Sequence, residues 1–499
     1  MDCVIGCDVG SQGTKAILLS TTGESIGEVY EGYSIDYPHP LWAEQPVERW
    51  VEALSIAIPR LLSETGVAAA NIRALSLATQ VDGLVAIDSK SQPLYPAIIW
   101  MDRRASQQCE LVRQSLGDDQ IFHLTGLNLD AYHVAPKIRW LAEYQPEIYE
   151  RAAHFLLPGS YLAYYLTGEL AVDYSNASST LLFDVHSKTW SAKMCEAFDI
   201  DMDKLVPLGA ANATLGKLRS SIAEQLGLNT NTLVMIGCGD EHAACLGAGV
   251  TRPGLVCDIA GTAEPVCASS SEVVFDPTHL VETHCHADPE LWLLENPGFV
   301  SGGNYRWWRD QFANGESYSA LDAEAARIPP GSEGLTFLPS LMGAMAPTWS
   351  EAARGTYSGF TLAHTRGHFI RALLEGSAYA VRDITSQMQS IGVELRELRV
   401  VSGGAKSTLW NQIKADVTGL QVNVPEITET TALGAAFLAL VGIGAYTTLS
   451  EASEHIVKIR ECIEPNPAAQ SIYQEAYERY RDTYFALLPV FEKDAKRTH

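Results

Sequence analysis

Cys3-Val-Ile-Gly-Cys-Asp8-Val-Gly10-Ser11-Gln12-Gly13-Thr14-Lys15-Ala-Ile-Leu-Leu-Ser20 reads as two strands around a glycine turn. Residues 3–9 form an apolar run of strand length, residues 14–20 form a second, and no periodic helical face intervenes. The Gly23-Glu24 pair turns the chain again before Ile26–Tyr33, so the chain opens as a three-strand meander. Such a turn exposes backbone N–H groups that can cradle a phosphate. Gly10, Ser11, Gln12 and Thr14 supply its backbone and hydroxyl donors, and Lys15 adds a compact positive charge. Asp8, at the end of a buried strand, is placed to hold a magnesium ion directly or through water. A plain hairpin with an exposed lysine would carry the same residues.

The pattern then restarts. Leu255–Ala260 reads as a strand, Gly261-Thr262 as a turn and Glu264–Ala268 as a strand. The spacing predicts helices over 46–65, 104–116, 137–151, 219–227, 318–327, 366–391, 430–442 and 467–488. It predicts further strands at Ile72–Thr79, Gly83–Asp88, 232–236 and 398–401. The chain is therefore expected to be α/β with two lobes, 1–252 and 253–499, joined near Thr251-Arg-Pro-Gly254, which breaks helix and strand alike.

Two more stretches carry chemistry. Gly237-Cys-Gly-Asp240-Glu241-His242 runs from a strand into a small-residue helix, which puts Asp240 at a helix N-terminus that favours a carboxylate; an N-cap would use the same residue. Val400-Val-Ser-Gly403-Gly404-Ala405-Lys-Ser-Thr-Leu-Trp-Asn411 runs from a strand through glycines into a helix. That arrangement admits a flat ligand and an anion, and is also common as a simple strand-to-helix turn.

The 499 residues hold 35 Lys+Arg against 60 Asp+Glu, a formal charge of −25 spread over both halves. Nucleic-acid binding needs clustered cations to displace phosphate counterions, and none is visible, so nucleic acid is not an expected partner. A polybasic membrane surface is disfavoured for the same reason. No run of about 18 apolar residues predicts a membrane span. Met1-Asp2-Cys3 has no basic n-region, and the ten cysteines form no CxxC pair or regular framework. Reduced thiols and a cytoplasmic location are expected.

Taken together, the four stretches resemble the FGGY carbohydrate kinases, within the wider actin/hexokinase/Hsp70 ATPase superfamily. The resemblance spans about residues 1–490. His39-Pro-Leu-Trp42-Ala-Glu-Gln45, Pro96-Ala-Ile-Ile-Trp-Met-Asp102, Ala135-Pro-Lys-Ile-Arg-Trp140, Leu157-Pro-Gly-Ser-Tyr161 and Asp173-Tyr-Ser-Asn-Ala-Ser178 are similar to its xylulokinase branch. The resemblance implies two actin-like (ribonuclease H-like) lobes with a cleft, sugar held mainly by the first and nucleotide mainly by the second. It implies phosphorylation of a sugar hydroxyl, D-xylulose above all, with ATP and Mg2+. Asp240 would be the catalytic base. Gln80, Val81, Asp82, Asp240, Glu241 and Trp42 would face the sugar. Gly10, Ser11, Gln12, Thr14, Lys15, Gly261 and Thr262 would hold phosphates, with Asp8 at the metal, and Gly403, Gly404, Ala405 and Asn411 would line the adenosine pocket. Small-molecule sugar and ATP are the expected partners, and a homodimer is compatible with the resemblance. An actin-like ATPase that reads out partner binding is the rival of another class.

The chain departs from the family at Gln80-Val81-Asp82-Gly83, where Gln-Met-His-Gly is usual, so a carboxylate replaces an imidazole at the sugar. Ala263-Glu264 replaces Ser-Gly and is expected to add a charge to the second phosphate turn. Thr283-His-Cys-His286 offers two imidazoles, but alternation along a strand sends them to opposite faces, and no second Cys/His pair lies nearby. Trp42 suits either the sugar or the core. Tyr305, Trp307 and Trp308 are expected to pack along a helix face.

Overall fold

The opening meander forms because its apolar runs can be buried on both faces, as a central strand requires. In the computed structural model, which describes residues 1–498, Cys3–Val9 pairs antiparallel with Gly13–Ser20, with Asp8 opposite Lys15. Gly13–Ser20 pairs in turn with Ser25–Gly32. On its other side Cys3–Val9 runs parallel to Ile72–Thr79, which runs parallel to Leu233–Met235. The second sheet repeats this core. Gly254–Ile259 pairs antiparallel with Ala263–Ser270, and that strand with Trp292–Val300. Leu395–Val401 and Gln421–Pro425 continue the sheet in parallel. The core of each seven-stranded sheet is thus three antiparallel strands followed by a parallel pair, with helices against it.

This order brings the critical turns to one end of each sheet. Val9 and Gly239 both lie beside Thr79, and the Gln80 N–H donates to the Val9 carbonyl at 3.0 Å. Gly10, Gln80 and Asp240 therefore leave the first sheet at the same place. In the second sheet Ile259 lies beside Val401, and the Gly404 N–H donates to the Ala260 carbonyl at 2.8 Å. The turns at Gly261 and Ser402 share that end.

Chain order and packing do not coincide. Thr430–Gly442, almost wholly apolar, lies on the first sheet against Cys3–Val9 and Ile72–Thr79, although it follows the second sheet in sequence. It crosses the Asp240–Gly247 helix so closely that only glycine fits at the contacts. A methyl on Gly434 would run into the Ala243 carbonyl, and one on Gly247 into the Thr430 carbonyl. The Asp240–Gly247 helix is shared between the lobes: Ala243 and Leu246 join the first lobe's core, while Cys245 packs with Leu255, Cys257 and Cys267 of the second.

Most elements lie where periodicity put them. The helix expected over 137–151 is instead two, Val134–Tyr144 and Pro146–Arg151. Pro146 bars its predecessor from helical geometry, and Gln145 sits at φ −136°. The last helix, expected to stop at 488, runs through Pro489 as Pro467–Thr498. All ten cysteines are free thiols, nine of them buried. Among the described residues no helix is long and apolar enough to cross a membrane.

Candidate active site

The first glycine turn is held from several sides. The Gly10 N–H donates to the Gly13 carbonyl at 3.0 Å, closing it. The Tyr33 hydroxyl donates to the Gly10 carbonyl at 2.6 Å and the Tyr30 hydroxyl to the Gln12 carbonyl at 3.0 Å. Gln45 Nε2 donates to the Ser11 carbonyl at 2.7 Å, and Gln80 Nε2 to Gln45 Oε1 at 2.9 Å. With its carbonyls engaged and the Gly10 N–H spent on closing it, the turn keeps the N–H groups of Ser11 and Gln12 for a ligand. Thr14 is buried, and the Gln12 side chain is exposed. Lys15 Nζ stands 3.7 Å from Glu429 Oε2.

Two half-buried carboxylates flank this turn. Burial pushes Asp8 up to about 7; Lys15 opposes the shift and Glu429 adds to it. Asp240 opens its helix after Gly239, and the Glu241 N–H donates to its Oδ1 at 3.0 Å. Burial, then Glu241, then Asp8 hold Asp240 well above the usual carboxylate range. Its side chain still reaches the cleft, since the residue is only half-buried. Val81 lies against Gly239, where an added methyl would stand 2.7 Å from Val81 Cγ1. Gln80, Val81, Asp240 and the first turn therefore meet in one place.

Asp82 is more engaged than its sequence position suggests. It adopts the left-handed region at φ 56° and is 3% exposed. Its Oδ1 lies 3.3 Å from His133 Nδ1, and Lys137 Nζ donates to its carbonyl at 2.5 Å. Burial would lower His133, but Asp82, with Glu282 and Asp130 adding to it, outweighs burial and leaves the imidazole above its ordinary value. His133 Nε2 is buried without a partner. An imidazole thus stands at the loop after all, supplied from residue 133. Sequence reading missed it because the two positions are 51 residues apart.

Trp42, which suits either the sugar or the core, is packed on part of its ring and stays half-buried. The Arg104 guanidinium lies 3.6 Å over its ring, and Trp140 meets it edge-on at 5.3 Å. Arg104 is itself held by Asp102 and Glu44, each at 2.7 Å.

In the second lobe a cavity of about 530 Å³ opens between the two turns, lined by Gly261, Thr262, Gly403, Gly404, Trp410 and Glu429 among others. Glu429, facing Lys15, joins this cavity to the first turn. Tyr305 also lines it, its hydroxyl donating to Asp322 Oδ1 at 2.8 Å, so it is not confined to helix packing. Trp308 is buried as expected, while Trp307 is 42% exposed. Ala405 and Asn411, expected on the adenosine wall, lie behind it: both are buried, and Asn411 Nδ2 donates to the Ala405 carbonyl at 3.0 Å. Asn411 shapes the turn that presents Gly403 and Gly404.

Glu264 adds no charge to the phosphate turn. Its carboxylate points inward to Lys414, which also pairs with Asp258 at 2.5 Å. The strand pleat turns Glu264 inward, and a cation 150 residues on receives it. The opposite faces expected for His284 and His286 are not borne out: residues two apart along a strand share a face, the Glu282–Cys285 strand ends before His286, and both imidazoles act on buried His242, with His286 Nε2 also 2.9 Å from the Val250 carbonyl.

Comparison with known proteins gives a consistent picture. The description "FGGY family of carbohydrate kinases, N-terminal domain" fits residues 3–247, and its C-terminal counterpart fits residues 258–443. A xylulose kinase of Staphylococcus epidermidis is 31% identical over 486 residues, covering 97% of this chain and 96% of the relative. An autoinducer-2 kinase of Salmonella paratyphi A is 30% identical over 501 residues, covering 96% and 94%. The crystal structure of xylulose kinase from Rhodospirillum rubrum superposes with a TM-score of 0.91 at 28% identity, covering 98% of this chain and all of that one.

Proposed function

The chain belongs to the FGGY family of carbohydrate kinases, and on that premise we propose that it phosphorylates D-xylulose with ATP, giving D-xylulose 5-phosphate and ADP. The observation that carries the reading is the convergence of the Gly10–Lys15 turn, Asp240 and the cavity at Gly261 and Gly403 through the Lys15–Glu429 contact. The substrate name rests on relatives about 30% identical.

Asp240 accepts the proton of the attacking hydroxyl, and its raised proton affinity suits a base working near neutral pH. Lys15 and the free N–H groups of the first turn offset charge that develops on the transferred phosphoryl group. Gln80, Val81 and the Asp82–His133 pair border the place where the sugar sits. Trp410, Tyr305 and the open side of Gly403 suit a flat purine in the second-lobe cavity. Asp8, a half-buried carboxylate with no cation bonded to it among the described residues, fits a magnesium ion. When bound, that ion supplies charge neutralisation between the phosphates. Lobe closure would exclude water and limit ATP hydrolysis.

The buried Asp82–His133 pair favours a second reading, a different ketose, polyol or aldonate. A coupled ADP-release screen across these classes tests both. The strongest kcat/KM should fall on D-xylulose, and Asp240→Asn should lower kcat roughly 10²–10⁴-fold. A flat response to D-xylulose beside a strong one elsewhere would replace the substrate, and an Asp240→Asn enzyme of full activity would remove the base.

A further inference from the structure

His242 follows the candidate base by two residues, but its imidazole turns away from the cleft. It is buried between the Asp240–Gly247 helix and the second sheet. There it meets His284 of the Glu282–Cys285 strand and Glu295 of the Trp292–Val300 strand. One donor atom from each of the three lies within 4.8 Å of the others. The residues are 1%, 5% and 3% exposed. Both nitrogens of His242, both of His284 and Glu295 Oε2 are buried without a hydrogen-bond partner. The two rings stand 5.6 Å apart at 77°.

Five unsatisfied polar atoms in one buried cluster are too many for a well-packed core, where such groups are nearly always paired. A water molecule would satisfy some of the lone pairs. It would do nothing for the charge: Glu241, Glu282 and Glu295 crowd this side of the helix, and among the described residues the only basic group ion-paired with Glu282 or Glu295 is His284. A cation answers both needs. Two imidazoles and a carboxylate suit a borderline divalent ion of the zinc class. They do not suit magnesium or calcium, which take oxygen ligands. Ligands about 2.1 Å from a tetrahedral centre stand about 3.4 Å apart. His284 Nε2 lies 3.7 Å from Glu295 Oε2 and 3.8 Å from Glu282 Oε2. Small side-chain rotations bring in His242.

We propose that His242, His284 and Glu295 form a binding site for one zinc-class divalent cation, with the fourth position open to water or to Glu282. The site is separate from the one suggested at Asp8 and does not depend on which sugar is used. Its ligands come from both sides of the lobe junction: one from the helix that begins at Asp240, two from the second sheet. A bound ion would pin that helix, and with it Asp240, against the second lobe.

The test uses the full-length protein, stripped with a chelator, desalted and titrated with Co2+ as a visible probe. One equivalent should bind, with the d–d bands of a four-coordinate site, and Zn2+ should displace it while Mg2+ does not. Zn2+ should raise the thermal midpoint by about 2–5 °C. His284→Gln and Glu295→Gln should each weaken Co2+ binding at least about tenfold. If those variants fail to fold, the wild-type titration decides alone. The absence of visible bands together with an unmoved thermal midpoint would overturn the site. So would Co2+ binding that survives both substitutions unchanged, because it would then belong to surface histidines.

Discussion

Glu241 sits where it makes its neighbour a stronger base. Its carboxylate is the largest charge acting on Asp240 after burial itself, and both effects raise the proton affinity of Asp240. A base with a raised pKa is protonated, and idle, over more of the acid range. Activity should therefore fall as pH drops through that raised value. Glu241→Gln removes the repulsion and lowers the pKa of Asp240, so the acid limb of the kcat/KM profile should move to lower pH, by up to about one unit. A limb that stays in place, or moves upward, would show that another group controls the profile. The place of Asp240 at the start of a helix could be read from sequence because it lies in a contiguous strand–glycine–helix signature. The partner of Asp82 could not, because His133 reaches it only through tertiary folding and carries no local mark. Glu264 shows the same limit in reverse: its neighbours in sequence suggested a phosphate turn, and Lys414 receives it instead.

Elements in this protein are fastened by two devices. The first is the glycine-lined crossing of the Asp240–Gly247 and Thr430–Gly442 helices. Gly434→Ala should force them apart and cost about 1–3 kcal/mol in urea denaturation. It should also lower kcat more than it changes KM, since one of the two helices begins at Asp240. Unchanged stability would mean the crossing relaxes freely. The second device is Lys414, which lies between Asp258 and Glu264 and ties the Thr408–Thr418 helix to the strands bordering the Gly261 turn. Lys414→Met strands two buried carboxylates and should cost about 3–5 kcal/mol at neutral pH. Burial and Glu264 already hold Asp258 well above the usual range, and Lys414 works against them. Without the lysine, the folded-state affinity for protons rises further above the unfolded value. The variant should regain stability as pH falls, and a deficit that is constant with pH would contradict this account. The strand–turn–strand units were legible because alternation and glycine are local signals; the helix crossing was not, because it depends on which residues face each other.

At the scale of the whole molecule, the repeated strand–glycine–strand opening announced two similar sheets, and the two share the order of six strands, the second adding Glu282–Cys285 at one edge. A net charge of −25 repels a polyphosphate at long range. The N–H groups of a clamped turn, together with Lys15, make a local exception inside an acidic shell. What the sequence did not announce is that the second half covers the first: Val4, Ile17, Leu19, Ala74 and Ala78 share a core with residues 432–440.

That shared core has a consequence for how the protein is made. A ribosome releases the whole first sheet before the helix that covers it exists, with about 190 residues still to be translated. At roughly 5–20 residues per second the uncovered apolar face waits on the order of 10–40 s. Residues 1–252 expressed alone should therefore aggregate, and co-expression of residues 253–499 should return them to the soluble fraction. A soluble, cooperatively folding 1–252 fragment would show that the nascent half closes without its late-arriving cover.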